Sequence, residues 1–191
     1  MLSNITKLTQ KIEYLAAEKS LVFNIASRYY HDVVDKEIDL ANITEDDRVL
    51  CIGGGFCPFS AILMHQKTGA KITVIDNDAD CLPKAREVIE RFGLCEHIHL
   101  ECQEGCCKNL ALSQFTVVHF ALQITPFAYV FAEVEKKVNP GTKLLIRRPK
   151  DGLNKMYCKL SETLLTCCRY IKHRVPCNIG STFLYVKGTA V

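Results

Sequence analysis

The sequence predicts an α/β fold: Rossmann-like, with a mostly parallel seven-stranded sheet, an antiparallel C-terminal hairpin and short N-terminal helices. Three observations carry this expectation. From about residue 48 onward, short apolar runs alternate with helical patterns, which implies strand–helix–strand units and a parallel sheet. Two of the runs, Val49–Ile52 and Val117–Leu122, are almost continuously apolar, as strands covered on both faces tend to be. The chain then closes with two strand-like segments around a short loop, which fits an antiparallel hairpin at a sheet edge.

Each element follows in order. Residues 5–35 read as helical. Ile5, Leu8, Ile12, Leu15 and Ala16 recur at spacings of three and four and predict one apolar face. Ser20 is placed to cap a second helix running from about Leu21 to Val34. Asn42–Asp47 is a polar loop, and Arg48–Ile52 the first strand, ending at Gly53-Gly54-Gly55. A helix is expected over Pro58–Lys67. Lys71–Ile75 is the second strand and ends in Asp76-Asn77-Asp78. A charged helix from about Asp80 to Phe92 stops near Gly93. His97–Glu101 and Phe115–Leu122 are the third and fourth strands. A helix over Phe127–Val138 is followed by the turn Asn139-Pro140-Gly141-Thr142 and a fifth strand, Lys143–Arg147. Leu153–Leu165 reads as helical, and Cys168–Val175 and Thr182–Lys187 as the closing strands. Two units are expected: an N-terminal helical extension, 1–45, covering the site, and a ligand-binding Rossmann-like domain, 46–191.

Composition excludes several classes. The net charge of +3 favours neither strong nucleic-acid nor strong membrane binding. No run approaches the ~20 apolar residues that span a bilayer. Lys7, Lys11, Glu13, Glu18 and Lys19 interrupt the apolar core that a secretory signal needs, so a cytoplasmic location is expected. The 11 cysteines, odd in number and irregular in spacing, do not read as a disulfide framework and suit a reducing compartment. Cys102, Cys106 and Cys107 lie close together but lack zinc-site spacing, and no metal site is expected.

The chemistry concentrates after the first two strands. Gly53-Gly54-Gly55 directly follows an apolar strand and leads into a helix. There, glycine permits positive φ and a close approach of backbone to ligand. Asp76 stands at the end of the next strand, about 20 residues further on, where a carboxylate accepts hydrogen bonds from ribose hydroxyls in nucleotide-binding sheets. Asp78 or Asp80 would cap the following helix.

Together with the strand Phe115–Leu122 and the run Asn139–Ile146, these residues resemble class I S-adenosylmethionine-dependent methyltransferases over about residues 45–187. The resemblance implies S-adenosylmethionine as cofactor, held by Gly53, Gly54, Gly55, Asp76, Asn77, Gln103, Glu104 and Ala121. Glu104, in Gln103-Glu104-Gly105, would approach the adenine amino group. The pattern departs from the family at Cys51, where an acid is usual, at Cys57, the third glycine position, and at Thr116, where Asp is common. A narrower similarity joins Gly53–Ser60 and Leu144–Gly152 to nicotianamine synthases and related enzymes, which transfer the aminobutyrate arm of S-adenosylmethionine. A nicotinamide dinucleotide site is disfavoured, because Pro58 replaces the last glycine of that fingerprint.

Candidate catalytic residues are Tyr29, Tyr30, Gln123 and Arg147. Gln123 and Thr125 follow the fourth strand, at the sheet edge where ligands sit. Arg147 and Arg148 follow in the fifth, where Arg147 would hold an anionic substrate through paired contacts. Tyr29 and Tyr30 would cover the site from the preceding helix. His119, inside a buried strand, reads as a satisfied core histidine. The leading expectation is methyl transfer to a small-molecule acceptor. The alternatives are aminobutyrate transfer yielding a metal-chelating product, or a non-catalytic S-adenosylmethionine-binding module. A homodimer is possible. A nucleic-acid substrate is disfavoured, because the basic clusters are scattered and carry few aromatics.

Overall fold

The structure, a computed structural model, describes residues 4–105, 110–150, 168–173 and 178–188, with the side chains of residues 4–9, Ser20 and Tyr29 outside that description. Two helices, α1 (Asn4–Glu18) and α2 (Ser20–Ala41), precede the sheet. There follow β1 (Arg48–Ile52), α3 (Phe59–Thr68), β2 (Lys71–Asp76), α4 (Cys81–Arg91), β3 (Ile98–Cys102), β4 (Val117–Phe120), α5 (Phe127–Lys137), β5 (Lys143–Pro149), β6 (Arg169–Lys172) and β7 (Ile179–Val186). The seven strands run in the order β3-β2-β1-β4-β5-β7-β6. Strands β1 to β5 pair in parallel, and β7 runs antiparallel to both β5 and β6. The expected helix at Leu153–Leu165 lies outside the described residues.

Side-chain alternation along the central strands builds two apolar layers. Val49 and Cys51 of β1 join Ala16, Phe23, Val34, Ile62 and Met64 on one face. Leu50 and Ile52 join Phe120, Phe127, Phe131 and Ile146 on the other. Helices α1 and α2 thus share their core with the sheet. The link between them and β1 falls around residue 45.

Three local expectations need correction. Ser20 does not cap α2: it is the helix's first residue, the N-cap position belongs to Lys19, and no side chain caps it. The helix also runs past Val34 to Ala41, because Asn42 adopts φ 47° and lets its N–H reach the carbonyls of Asp39 and Ile38. On α1 only part of the expected apolar stripe is buried among the described side chains: Ala16 is, Ile12 and Leu15 are not. Ile12 and Leu15 are 46% and 43% exposed, whereas Ala16 and Ala17 are fully buried. A helix lying close against a neighbouring backbone buries its small residues and leaves its large ones at the margin.

Candidate functional site

The chain reverses direction across the sheet between β1 and β4, and ligands in open parallel sheets bind at such a switch point. The glycine bend lies there. Gly53 (φ 87°) and Gly55 (φ 61°) adopt left-handed conformations, and the Gly53 N–H donates to the Ile75 carbonyl at 2.8 Å. Gly54 has a different constraint: a Cβ on it would fall inside contact distance of Val74 Cγ1. The Gly55 N–H donates to Asp76 Oδ2 at 2.8 Å, so the bend and the carboxylate meet in one crevice. Asp76 Oδ1 accepts the Asp78 N–H at 3.0 Å. Each carboxylate oxygen keeps a lone pair, enough for two ribose hydroxyls.

The crevice opens into a cavity of about 1220 Å³, somewhat above the ~300–1,000 Å³ usual for a small-molecule site. Gly53, Gly54, Gly55, Asp76, Asn77 and Gln103 line its end over β1 and β2. Ala121, Gln123, Tyr30 and Arg147 line the end over β4 and β5. Glu104 is exposed and is not among the lining residues, and the side chain of Tyr29 lies outside the described ones. Thr116 sits at the opposite end of β4, donating to Asp47 Oδ1 at 2.6 Å. The expected helix cap is also absent. Asp78 Oδ1 accepts the Asp80 N–H at 3.0 Å, and Asp80, at the N-cap of α4, makes no side-chain cap bond.

Arg147 lines the cavity with one side of its guanidinium already engaged. Its Nε and Nη2 donate to Glu37 Oε1 and Oε2, each at 2.7 Å. The guanidinium lies 5.8 Å from the Tyr30 ring centroid, and Tyr30 stacks on Phe59 at 5.0 Å. Thr182 also donates to Glu37 Oε1, at 2.7 Å, and His173 Nε2 lies 2.8 Å behind it. Burial by itself would raise the fully buried Glu37. The Arg147 charge, the His119 ring and the hydrogen bonds that the carboxyl accepts together outweigh this and hold it well below its ordinary range.

His119 is buried as expected but is not satisfied. Its Nε2 comes within 3.4 Å of Glu37 Oε2, yet has no hydrogen-bond partner among the described residues. Burial, and then Arg147, lower its pKa, so the ring is neutral at pH 7. Burial pushes the neighbouring Cys51 thiol up to about 12, so the residue in the usual acidic position carries no charge.

Sequence reasoning missed Glu13 and Glu37. Glu13 reaches from α1 into the bend, its Oε2 lying where a Cβ of Gly55 would stand. Burial, and then Asp76, raise its carboxyl to about 8, against a backbone hydrogen bond from Phe56 that lowers it. The available signal was position: Glu13 is three and four residues before the fully buried Ala16 and Ala17, on the same helix face. Glu37 lies between the buried Val34 and Ala41, at the same spacings.

The strand order is that of the Rossmann-like methyltransferase fold. Comparison with known proteins places the chain near particular members of it. No family model matches. Over 113 residues the chain is 29% identical to the L-histidine 2-aminobutanoyltransferase of Pseudomonas aeruginosa, covering 58% of this chain and 42% of that protein. The chain therefore spans less than half the length of the curated relatives it matches. Among solved structures, a point mutant of MtNAS superposes with a TM-score of 0.77 at 20% identity, over 95% of this chain and 72% of that one. The same mutant in complex with S-adenosylmethionine gives 0.75 at 21%, over 96% and 73%. An RNA methyltransferase from Salinibacter ruber, in complex with S-adenosyl-L-homocysteine, gives 0.65 at 17%, over 84% and 93%.

Proposed function

We propose that this chain binds S-adenosylmethionine and transfers its aminobutanoyl arm to a small amine acceptor. The observation that carries the reading is the joint geometry of Gly53–Gly55 and Asp76, a bend and a carboxylate meeting under a cavity larger than one nucleoside. Two facts favour the aminobutanoyl arm over the methyl group. The curated relatives are 2-aminobutanoyltransferases, and the likeness to MtNAS extends over almost the whole chain, N-terminal helices included. Methyl transfer remains the second reading, favoured by the likeness to the RNA methyltransferase.

The residues present fit the ligand. Asp76 would take the ribose hydroxyls, and Gln103 and Asn77 would flank the nucleoside. Gly53 leaves room beside Ala121, since a Cβ on Gly53 would stand 3.0 Å from the Ala121 Cβ. The sulfonium, when bound, supplies an electrophilic carbon with a neutral thioether leaving group. The chain's own task is to orient the acceptor and take its proton. Glu13 sits at the bend with a carboxyl that titrates near neutrality, suited to accept that proton. Tyr30, held between Phe59 and Arg147, and Gln123 would position the acceptor.

Product analysis tests this. Incubation with S-adenosylmethionine and a panel of free amino acids should yield methylthioadenosine. S-adenosylhomocysteine in its place would establish the second reading. Tight binding with neither product would leave a binding module.

A further inference from the structure

Glu13 and Asp76 put two carboxyl groups at one bend. Asp76 is fixed by the N–H groups of Gly55 and Asp78 and cannot withdraw without opening the bend. Glu13 comes from a different element, α1, and shares the same cavity wall with Gly55 and Asp76. The groups facing it do not neutralise it. Cys57 from the glycine loop and Cys81 from α4 are buried thiols, held protonated. Asp78, beside Cys81, adds a further negative charge. The nearby cations of α4 are engaged elsewhere: Lys84 lies 3.6 Å from Glu18 and 2.9 Å from Glu87, beside the Tyr14 ring, and Arg91 donates to the Ala17 carbonyl. Burial, and then the Asp76 charge, raise the half-buried Glu13 carboxyl to about 8, so that it holds a proton at pH 7 in the free protein.

A ribose held on Asp76 would leave its 5′ substituent in the cavity whose wall Glu13 and Gly55 share. S-adenosylmethionine carries a positive sulfur at that point, and the thioether products do not. We propose that Glu13 is the residue by which this crevice tells the cationic sulfonium from the neutral thioether it becomes. Its carboxyl gives up a proton to solvent as the positive sulfur arrives and takes one back once that charge is gone. The carboxylate uncovered by binding is then the group that receives the acceptor's proton at the moment of transfer. Discharged product meets a protonated, neutral Glu13 and is held less tightly. This rests on the reading of the cavity as an S-adenosylmethionine site.

The test is binding calorimetry of the whole chain with S-adenosylmethionine and S-adenosylhomocysteine, in buffers of different ionisation enthalpy. The two ligands share their adenosine and amino acid, so proton exchange by those parts cancels. At pH 7, S-adenosylmethionine should release about one proton more than S-adenosylhomocysteine. In the wild type, its affinity advantage should rise with pH by up to about tenfold per unit and level off above about pH 8. Glu13→Gln should abolish the proton difference and shrink the advantage by about tenfold or more. If Glu13→Gln fails to fold, the wild-type pH profile decides alone. Equal proton counts, a flat affinity ratio, or a Gln variant that keeps the full preference would overturn the inference while leaving the cavity's assignment intact. If neither ligand binds, the assignment itself fails, and the inference with it.

Discussion

At the residue scale, the site depends on a few atoms with little room to move. Gly54 faces Val74 Cγ1 on a buried strand, so Gly54→Ala forces backbone or strand to shift and should cost about 1–3 kcal/mol of stability. Adding Val74→Ala makes space for the new methyl. Denaturant titration of the double variant should show less destabilisation than the two single changes summed. Simple additivity would mean that the two side chains do not meet. Asp76 holds the bend and is assigned the ribose, so Asp76→Ala should weaken S-adenosylmethionine binding by about 1–3 kcal/mol. An unchanged dissociation constant would move the ribose elsewhere.

At the scale of elements, the Glu37–Arg147 pair joins α2 to β5, and Thr182 with His173 extends it to β7 and the strand edge beyond. Removing one partner of a fully buried pair leaves the other charge stranded, which costs more than the pair contributes when intact. Glu37→Ala should therefore destabilise the fold by about 3–5 kcal/mol. Arg147→Met together with Glu37→Leu should recover much of that loss in chemical denaturation. Glu37 and Glu13 also bend the pH profile in opposite senses. The folded-state pKa of Glu37 lies below its ordinary 4.5, so its contribution is present above that value and is lost as pH falls through the folded pKa. Glu13 is raised to about 8, so its contribution is full below 4.5 and is lost as pH rises through 8. Between about pH 5 and 8 the wild type's Tm should drop relative to that of Glu13→Gln. Parallel curves for the two proteins would mean that Glu13 is not desolvated in the fold.

At the scale of the whole molecule, α1 and α2 contribute Ala16, Ala17, Phe23 and Val34 to the apolar layer that covers β1 and β2. Helices that share a core with a sheet unfold with it, so thermal melting should be one cooperative transition seen alike by far-UV and near-UV signals. Saturating ligand should raise that transition as a unit, by about 2.7 kcal/mol at a concentration one hundred times Kd. A separate early transition would mean that the helices and the sheet do not share their stability.

The fold was legible because its signals are local. Continuous apolar runs at Val49–Ile52 and Val117–Phe120 mark strands covered on both faces, and the glycines and Asp76 mark the ends of β1 and β2. The site was legible only in part. Gly53–Gly55, Asp76, Asn77, Gln103, Ala121, Gln123, Tyr30 and Arg147 do line one cavity, whereas Glu104 does not. Arg147 is in that lining, and its pairing with a carboxylate 110 residues earlier cannot be read from spacing. His119 was expected to be satisfied, yet it packs beside that same pair with its Nε2 unpartnered.

Sequence alone determined the alternation of strand and helix, the bend after the first strand and the carboxylate after the second. These depend on patterns and steric limits within a few residues of chain. Tertiary structure alone decided which acids matter. Glu13 and Glu37 look in sequence like any helical carboxylates. Their protonation is set by what lies across from them, the glycine bend with Asp76 in one case and a buried guanidinium in the other. Electrostatic character depends on distance and burial, and both exist only once the chain has folded.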